Sequence, residues 1–402
     1  MERNDVIILG GGLVGLTLAI ALDAHGLSSI VIDPADPAAQ LSVGFDGRAS
    51  AIASASWRML EAIGVGALIK DQGCEIRRIE VRDGLSPESL KFDADEDDDA
   101  LGIMFENRAV RVALRERALA AANLTLLAPA RPIEVVRDAQ SVRVTLDDGR
   151  VCTGSLLIGA EGRRSPTREA AGIRIAQWKY DHVAMIASIT HEKPHRNIAH
   201  EIFYPAGPFA LLPMLPGNRC CLVWSVHAND APAFLDLPDR AWLAEVRKRM
   251  GDMLGEITLA SPRSSYPLGF HHTAKITGER LALVGDAAHG IHPIAGQGLN
   301  LGLRDVAALT EILVEGTRLG LDPGDAQLLA RYERWRSLDS LMVSASTDGF
   351  TRLFGIPGRP ARALRRFGMR AVERFSPLKR YFMAEARGEA GHLPRLLQGL
   401  EV

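Results

Sequence analysis

Four cysteines in 402 residues, Cys74, Cys152, Cys220 and Cys221, form neither a disulfide framework nor a zinc spacing, because the one close pair is adjacent and cannot chelate as C-x-x-C does. They read as reduced thiols of a cytosolic protein. No stretch of about 20 uninterrupted apolar residues occurs, so no bilayer-spanning helix is expected. The apolar opening, Val6 to Leu22, is cut by four glycines and lacks a strong basic flank and a small-residue cleavage site, so it is not expected to be a signal peptide. Charge of one sign is not in excess: 47 Lys and Arg stand against 49 Asp and Glu, a net charge of -2, which gives no reason to expect a nucleic-acid partner. The acidic run Asp93 to Asp99 reads as a solvated loop. There is no internal repeat and no spacing that implies a Ser-His-Asp arrangement. What the chain does have is 47% hydrophobic residues against 24% charged, enough for one large core or two sharing an interface.

The opening predicts a short buried strand, Asp5 to Leu9, a glycine turn, a helix to about His25 and a second strand, Ser28 to Ile32, which is a βαβ start. Gly10-Gly11-Gly12-Leu13-Val14-Gly15 is a G-x-G-x-x-G turn. Gly10, Gly12 and Gly15 let the backbone approach a pyrophosphate, and the helix N-terminus offers unpaired N–H groups to its charge. Asp33, 18 residues beyond Gly15 at the end of the second strand, is placed to accept hydrogen bonds from a ribose diol and disfavours a 2′-phosphate. The nucleotide is therefore the adenosine half of FAD or NAD. A hairpin around Asp147-Asp148-Gly149 leads into the apolar run Leu156-Leu157-Ile158. Between Val183 and Val226, strand-like runs broken by Pro205, Pro208, Pro213 and Pro216 predict an antiparallel sheet. An apolar strand, Arg280 to Val284, ends in Gly285-Asp286, and a helix is expected from about Leu299 to Leu313.

Two further motifs separate this chain from a plain dehydrogenase. Leu156 to Arg168, centred on Gly159-Ala160-Glu161-Gly162-Arg163, resembles the "DG" fingerprint of flavoprotein hydroxylases, with Glu161 in place of Asp. The longer acid keeps the charge but sets its oxygens about one methylene further out. Arg280 to His289 and Ile291-His292-Pro293-Ile294-Ala295-Gly296-Gln297-Gly298-Leu299-Asn300-Leu301-Gly302-Leu303-Arg304-Asp305 match the "GD" fingerprint and the longer signature of the ubiquinone-biosynthesis hydroxylases nearly letter for letter. In physical terms Asp286 leaves a buried strand with a carboxylate free for a ribityl hydroxyl. Gly296, Gly298 and the helix start through Gln297, Leu299 and Asn300 offer backbone N–H groups to the pyrimidine edge of a flavin, which becomes anionic on reduction. The resemblance runs from residue 1 to about 345 and includes Asp46-Gly47-Arg48 with Ala49, and Glu106-Asn107-Arg108.

This resemblance implies an α/β fold: a Rossmann-like FAD-binding domain of the glutathione-reductase type, the p-hydroxybenzoate hydroxylase fold, with an inserted antiparallel β-sheet substrate domain and C-terminal helices. The expected boundaries are 1–75, 96–177 and 275–345 for the FAD-binding domain, 76–95 and 178–274 for the substrate sheet, and 346–402 for a basic helical segment. By the same resemblance Arg48 lies beside the FAD phosphates, Asn107 near the ribityl chain, Glu161, Gly162 and Gly285 at the pyrophosphate and ribityl turns, and His292 and Pro293 at the oxygen-transfer position. The implied activity is a monooxygenase that hydroxylates an aromatic ring through a flavin hydroperoxide, with FAD as cofactor, NADPH or NADH as transient donor and dioxygen as co-substrate. The absence of a second G-x-G-x-x-G fits a nicotinamide that visits and leaves. The implied substrate is a polyprenylated phenol of the ubiquinone pathway. A hydroxylase of a small soluble aromatic, and a flavin-dependent reductase of the same fold, remain alternatives.

His289 and His292 are three apart but lack a third ligand signal, and no metal is expected. The sheet residues Phe203, Tyr204, Phe209, Leu211, Leu212, Met214 and Trp224 suit either a roof over a greasy substrate or ordinary core. From Thr351 to Val402, eleven Lys or Arg stand against four Glu, and Leu364, Phe367, Ala371, Phe375, Leu378 and Phe382 recur at three- or four-residue intervals among Arg362, Arg365, Arg366, Arg370, Arg374 and Arg380, with a bend expected at Pro377. This basic amphipathic stretch packs on its own domain or another subunit, or else touches anionic lipid or a ubiquinone-enzyme complex at the inner face of the cytoplasmic membrane.

Overall fold

The run Val6-Ile7-Ile8-Leu9 is apolar at every position, which suits a strand covered on both faces, and these four residues are buried. The computed structural model describes residues 3–40, 48–94, 99–290, 297–337, 368 and 372–402. Asn4–Leu9 sits inside a parallel sheet whose order is Leu281–Leu283, Val151–Gly159, Asn4–Leu9, Ser29–Ile32, Leu124–Leu127. Helix α1, Leu13–Ala24, follows the first strand and is buried from Gly15 through Leu22. It is apolar all round because the sheet, helix α2 (Asn107–Leu119) and helix α3 (Gln297–Arg318) enclose it. The predicted hairpin is present, with Val142–Leu146 antiparallel to Val151–Gly159.

The helix expected from about Leu299 begins two residues earlier and runs to Arg318. Gln297 to Asn300 therefore form its first turn, and their N–H groups are the ones a helix leaves without intrahelical partners.

A second, nine-stranded sheet is built on the long strand Ile175–His191, which pairs antiparallel with Arg219–His227 and with Ser264–Thr273. Gly207–Met214 and Ile198–Tyr204 continue it. One departure from the antiparallel expectation is Arg78–Asp83, which lies parallel to Ile198–Tyr204 because it reaches the sheet from far upstream. At the opposite edge His289–Gly290 pairs with Ser264–Thr273, so the segment just after Asp286 is stitched to this sheet.

The two faces of the second sheet are covered differently. Phe209, Leu211, Trp224 and Tyr204 form a core with Trp242, Val246 and Met250 of the helix Asp239–Met250. Those four side chains are thus ordinary core and cannot roof a flavin. Leu212, Met214, Ile186, Ala199 and Cys221 point the other way, toward Cys74, Ile76 and Met104 of the small sheet Ala49–Ala53, Gly102–Glu106, Cys74–Ile76.

Helix α4, Ser376–Ala386, lays Phe382 and Met383 on that same face, with Phe382 6.5 Å from Phe92. Pro377 does not bend this helix: it sits in the first turn, after a break at Phe375, where its missing N–H costs nothing. Beyond α4 the chain returns to the parallel sheet, where Leu396 and Leu397 are buried, Arg58 bonds Glu389 and the Leu397 carbonyl, and Arg304 bonds the Ala390 carbonyl. The segment 346–367 lies outside the described residues, and with it Leu364, Phe367, Arg362, Arg365 and Arg366, as do Arg370 and Ala371. Among the described residues no helix is long and apolar enough to cross a membrane.

Candidate active site

Two glycines of the first turn are demanded by the protein itself. Gly10 has φ +105°, and a Cβ there would meet the Ala160 carbonyl oxygen at 2.5 Å; a Cβ on Gly15 would meet the Gly10 carbonyl oxygen at 2.0 Å. Gly12 is different. Its backbone is extended and a Cβ would touch nothing within 4 Å, so neither strain nor packing calls for glycine there. Gly298, in the first turn of α3, likewise has nothing within 4 Å, although glycine in a helix costs about 0.5–1 kcal/mol relative to alanine. No side chain caps α1. Two helix starts whose glycines meet no described atom suit a ligand that needs close backbone approach and N–H donors.

Asp33 is tied down at both oxygens, accepting N–H from Gly11 at 2.6 Å and from Ala35 at 2.7 Å. Each oxygen keeps a further lone pair, which faces a hollow lined by Gly12, Leu13, Pro37, Arg111, Arg115 and Ala128. Arg111 and Arg115 escaped the sequence reading; their spacing of four on α2, directly after Asn107, was the available signal. Asn107 opens α2, its side-chain oxygen accepts the Ser50 hydroxyl at 2.7 Å, and its N–H bonds the Arg48 carbonyl at 3.1 Å. The Arg48 side chain is exposed.

Glu161 does not reach outward as its extra length suggested. Its carboxylate turns back onto the short helix Pro166–Ala170, accepting the Ser165 hydroxyl at 2.7 Å, the Thr167 N–H at 3.2 Å and the Thr167 hydroxyl. The longer acid thus caps a helix start, leaving Gly162, at φ +80° with open space around it, as the point of approach in this loop. Arg168, buried, ties the two fingerprints together by bonding the carbonyls of Arg163 at 2.9 Å and Ala287 at 3.1 Å.

Asp286 is both exposed and closely surrounded, the condition of a side chain on the floor of a recess. Burial pushes its carboxyl above the usual range, against the charges of Arg163 and His289. His271 accepts no proton easily, being driven down to about 4 by burial and by Arg163, Arg168 and His289; its ring nitrogen lies 2.8 Å from the Asp286 carbonyl oxygen and fixes that turn. Gly285 donates its N–H at 2.9 Å to the buried Asp305, whose other oxygen receives Arg336 at 2.7 Å. His289 sits 2.7 Å from the same carboxylate and is committed there. Burial works to raise Asp305, but His289 and Arg336 hold it below the usual carboxylate range.

The Asn300 side chain is spent within the fold. It is buried, accepting the Ala53 N–H and donating to the Ala51 carbonyl, both at 2.9 Å, so it fastens α3 to the small sheet. Leu299 packs on the core. Both can serve a ligand only through backbone N–H groups. His292, Pro293 and Gly296, with Asp46 and Gly47, lie outside the described residues, and the side chain of Gln297 is not described.

The recess can hold an elongated dinucleotide from Asp33, past the Gly10–Gly15 turn, to Asp286 and the start of α3. Residues 3–342 match the family model described as FAD binding domain. The chain is 48% identical over 399 residues to a ubiquinone hydroxylase, UbiL, of Rhodospirillum rubrum, covering 98% of this chain and 93% of that one. The chain belongs to the FAD-dependent hydroxylases of ubiquinone biosynthesis. A second member of this family, the 3-demethoxyubiquinol 3-hydroxylase of Escherichia coli, is 35% identical over 394 residues, covering 96% of this chain and 99% of that one. Among solved structures, p-nitrophenol 4-monooxygenase PnpA of Pseudomonas putida superposes with a TM-score of 0.80 at 18% identity, covering 98% of this chain and 100% of that one, a likeness of fold. The protein is an FAD-dependent aromatic monooxygenase of this hydroxylase family.

Proposed function

We propose that the protein hydroxylates a polyprenylated phenol of the ubiquinone pathway, using dioxygen and NADH or NADPH. The observation that carries this reading is the end-to-end identity of 48% to a chain named as a ubiquinone hydroxylase, with a recess whose glycines fit FAD. The FAD, once reduced, supplies the oxygen activation. In this reading Gly12 and the α1 N-terminus receive the pyrophosphate, Asp33 the adenosine ribose and Asp286 a ribityl hydroxyl. The start of α3 lends its N–H groups to the flavin's pyrimidine edge. The row of the second sheet that carries Ile186, Ala210 and Val223 keeps water from the ring being oxidised. Oximetry with purified holoenzyme tests it. Oxygen uptake that depends on a prenylated phenol, with a product one oxygen heavier, is expected; uptake only with small soluble phenols, or none with any phenol, overturns it.

The same proposal places the protein reversibly on anionic lipid, where a polyprenylated phenol dissolves. On α4 and the residue before it, Phe375, Leu378 and Tyr381 are exposed at intervals of three, beside exposed Arg374 and Arg380. A basic residue near an anionic surface contributes about 1 kcal/mol, so this small patch gives weak, salt-sensitive binding. Replacing the three apolar residues by serine should reduce flotation with anionic vesicles at low salt. Unchanged flotation would show that α4 is not the contact.

A further inference from the structure

We infer that Glu201 is the general base that takes the proton from the substrate's phenol. The inference rests on the phenol hydroxylation proposed above and adds the group that ionises it.

Ile198–Tyr204 alternates, so Ala199, Glu201 and Phe203 share one face, and Ala199 packs in the cluster with Ile186, Leu212 and Cys221. Pairing carries each row across the sheet. Ala199 packs with Leu212, itself opposite Cys221, and this group is closed off by the small sheet. One step along, Glu201 stands opposite Ala210, then Val223 and Ile186. One step further come Ala184 and Tyr266, and Tyr266 feels the charges of Arg163 and Arg48. Arg163 in turn acts on Asp286. The face bearing Glu201 is thus the one turned to the flavin recess.

A carboxylate in such an apolar row requires a partner or a function. Among the described residues nothing hydrogen-bonds or pairs with Glu201, yet the side chain retains partial exposure. It is crowded on all sides and still reached by solvent, as a group lining an internal cavity would be. Burial alone pushes its carboxyl up to about 7. Glu80, Arg82 and His200 leave by the opposite face and associate with one another. Asp83 lies one row away on the same face, where it is opposite Phe203. From α4 and the turn before it, Lys379 pairs with Glu373, and Glu385 accepts the Tyr381 hydroxyl.

The chemistry follows from the proton gap. A glutamate of ordinary acidity facing a phenol is short by about six powers of ten, taking about 4.3 for Glu and about 10 for a tyrosine-like phenol. At about 7 the gap narrows to roughly three, while the base is still half ionised at neutral pH. The phenol O–H breaks, its proton goes to a Glu201 oxygen, and the electron pair stays on the ring oxygen. The ring is thereby enriched at its ortho and para carbons, where the oxygen derived from dioxygen is received. Ala210, opposite Glu201, has a small side chain, and the strand positions the carboxyl without a flexible loop.

The test uses the FAD-loaded full-length enzyme with 2-geranylphenol in detergent micelles, comparing wild type, Glu201→Gln and Glu201→Asp. Wild-type kcat/KM should rise to a plateau as the pH passes about 7. Glu201→Gln should lower kcat by roughly 10²–10⁴-fold and lose that limb, with FAD content unchanged, whereas Glu201→Asp should keep the limb at reduced rate. Infrared difference spectra without substrate should show a protonated carboxyl band that titrates near neutrality in wild type and is absent from Glu201→Gln. A wild type without the limb or the band, or a Glu201→Gln enzyme with wild-type kcat, overturns the inference. Should the wild type oxygenate no phenol, the functional reading is what fails, and the substrate-free band still decides for or against a proton held at Glu201.

Discussion

Around the start of α1, three glycines and the helix they open act within a single turn, mostly through backbone atoms. On the facing sheet, Glu201, Ala210 and Val223 are brought into one row from three strands and act through side chains. At Gly10 and Gly15 the first region has no space for an added atom, and it needs little of the rest of the molecule to specify it. The second tolerates many side chains, and its content depends on which face each strand turns to the flavin. Stability and cofactor binding should therefore separate: damage to the sheet's far core should cost folding, and damage to the turns should cost FAD.

The strongest test is Trp242→Ala. Trp242 is fully buried beneath the sheet, with Trp224 6.2 Å away, and its truncation should destabilise the fold by about 3–5 kcal/mol in denaturant melts. The protein that remains folded should carry FAD at the wild-type ratio. A large loss of FAD from the folded fraction would break the separation.

Asp286→Ala comes next and works in the reverse sense. It removes a charged acceptor from a ribityl hydroxyl and should weaken FAD by about 1.5–3 kcal/mol, read as a higher Kd for FAD returned to the apoprotein. Because burial already raises the Asp286 carboxyl, the fold should lose little. Asp33→Ala should cost less FAD than this, since a ribose near the surface recovers hydrogen bonds from water.

Gly12→Ala sharpens the comparison within one turn. A Cβ there meets no protein atom, so stability should stay within about 1 kcal/mol of wild type. The methyl would intrude on the ligand and weaken FAD by about 1–3 kcal/mol. Equal FAD affinity in the variant would mean the pyrophosphate does not lie against Gly12.

The smallest effect is on pH. His271 falls from an ordinary 6.5 to about 4 in the folded protein, so the unfolded chain takes up a proton first on acidification. Its contribution is intact above about 6.5 and is lost as the pH drops toward 4. His200, also driven to about 4 by burial, adds the same trend. His271→Gln should flatten part of the fall in melting temperature between these limits, and an unchanged slope would assign it to other groups.

The sequence by itself determined the parallel sheet and the flavin turns, because their signals are local: continuous apolar runs, glycines at fixed offsets, and acids at strand ends. The positions of Asp33 and Asp286 just past the ends of their strands were legible for that reason, as was the helix after Gly296. Tertiary structure alone decided how side chains in those motifs are spent. Glu161 caps a neighbouring helix, Asn300 fastens α3 to the small sheet, and His289 faces Asp305, and nothing in spacing could show which partner each would meet. The same holds for the sheet, where a period of two says that Phe209 and Leu212 lie on opposite faces but not which face meets the flavin. Glu201 was invisible in the sequence because a lone acid in a strand reads as solvent-facing. Only pairing with strands far apart in the chain set it in an apolar row, and that row is what alters its chemistry.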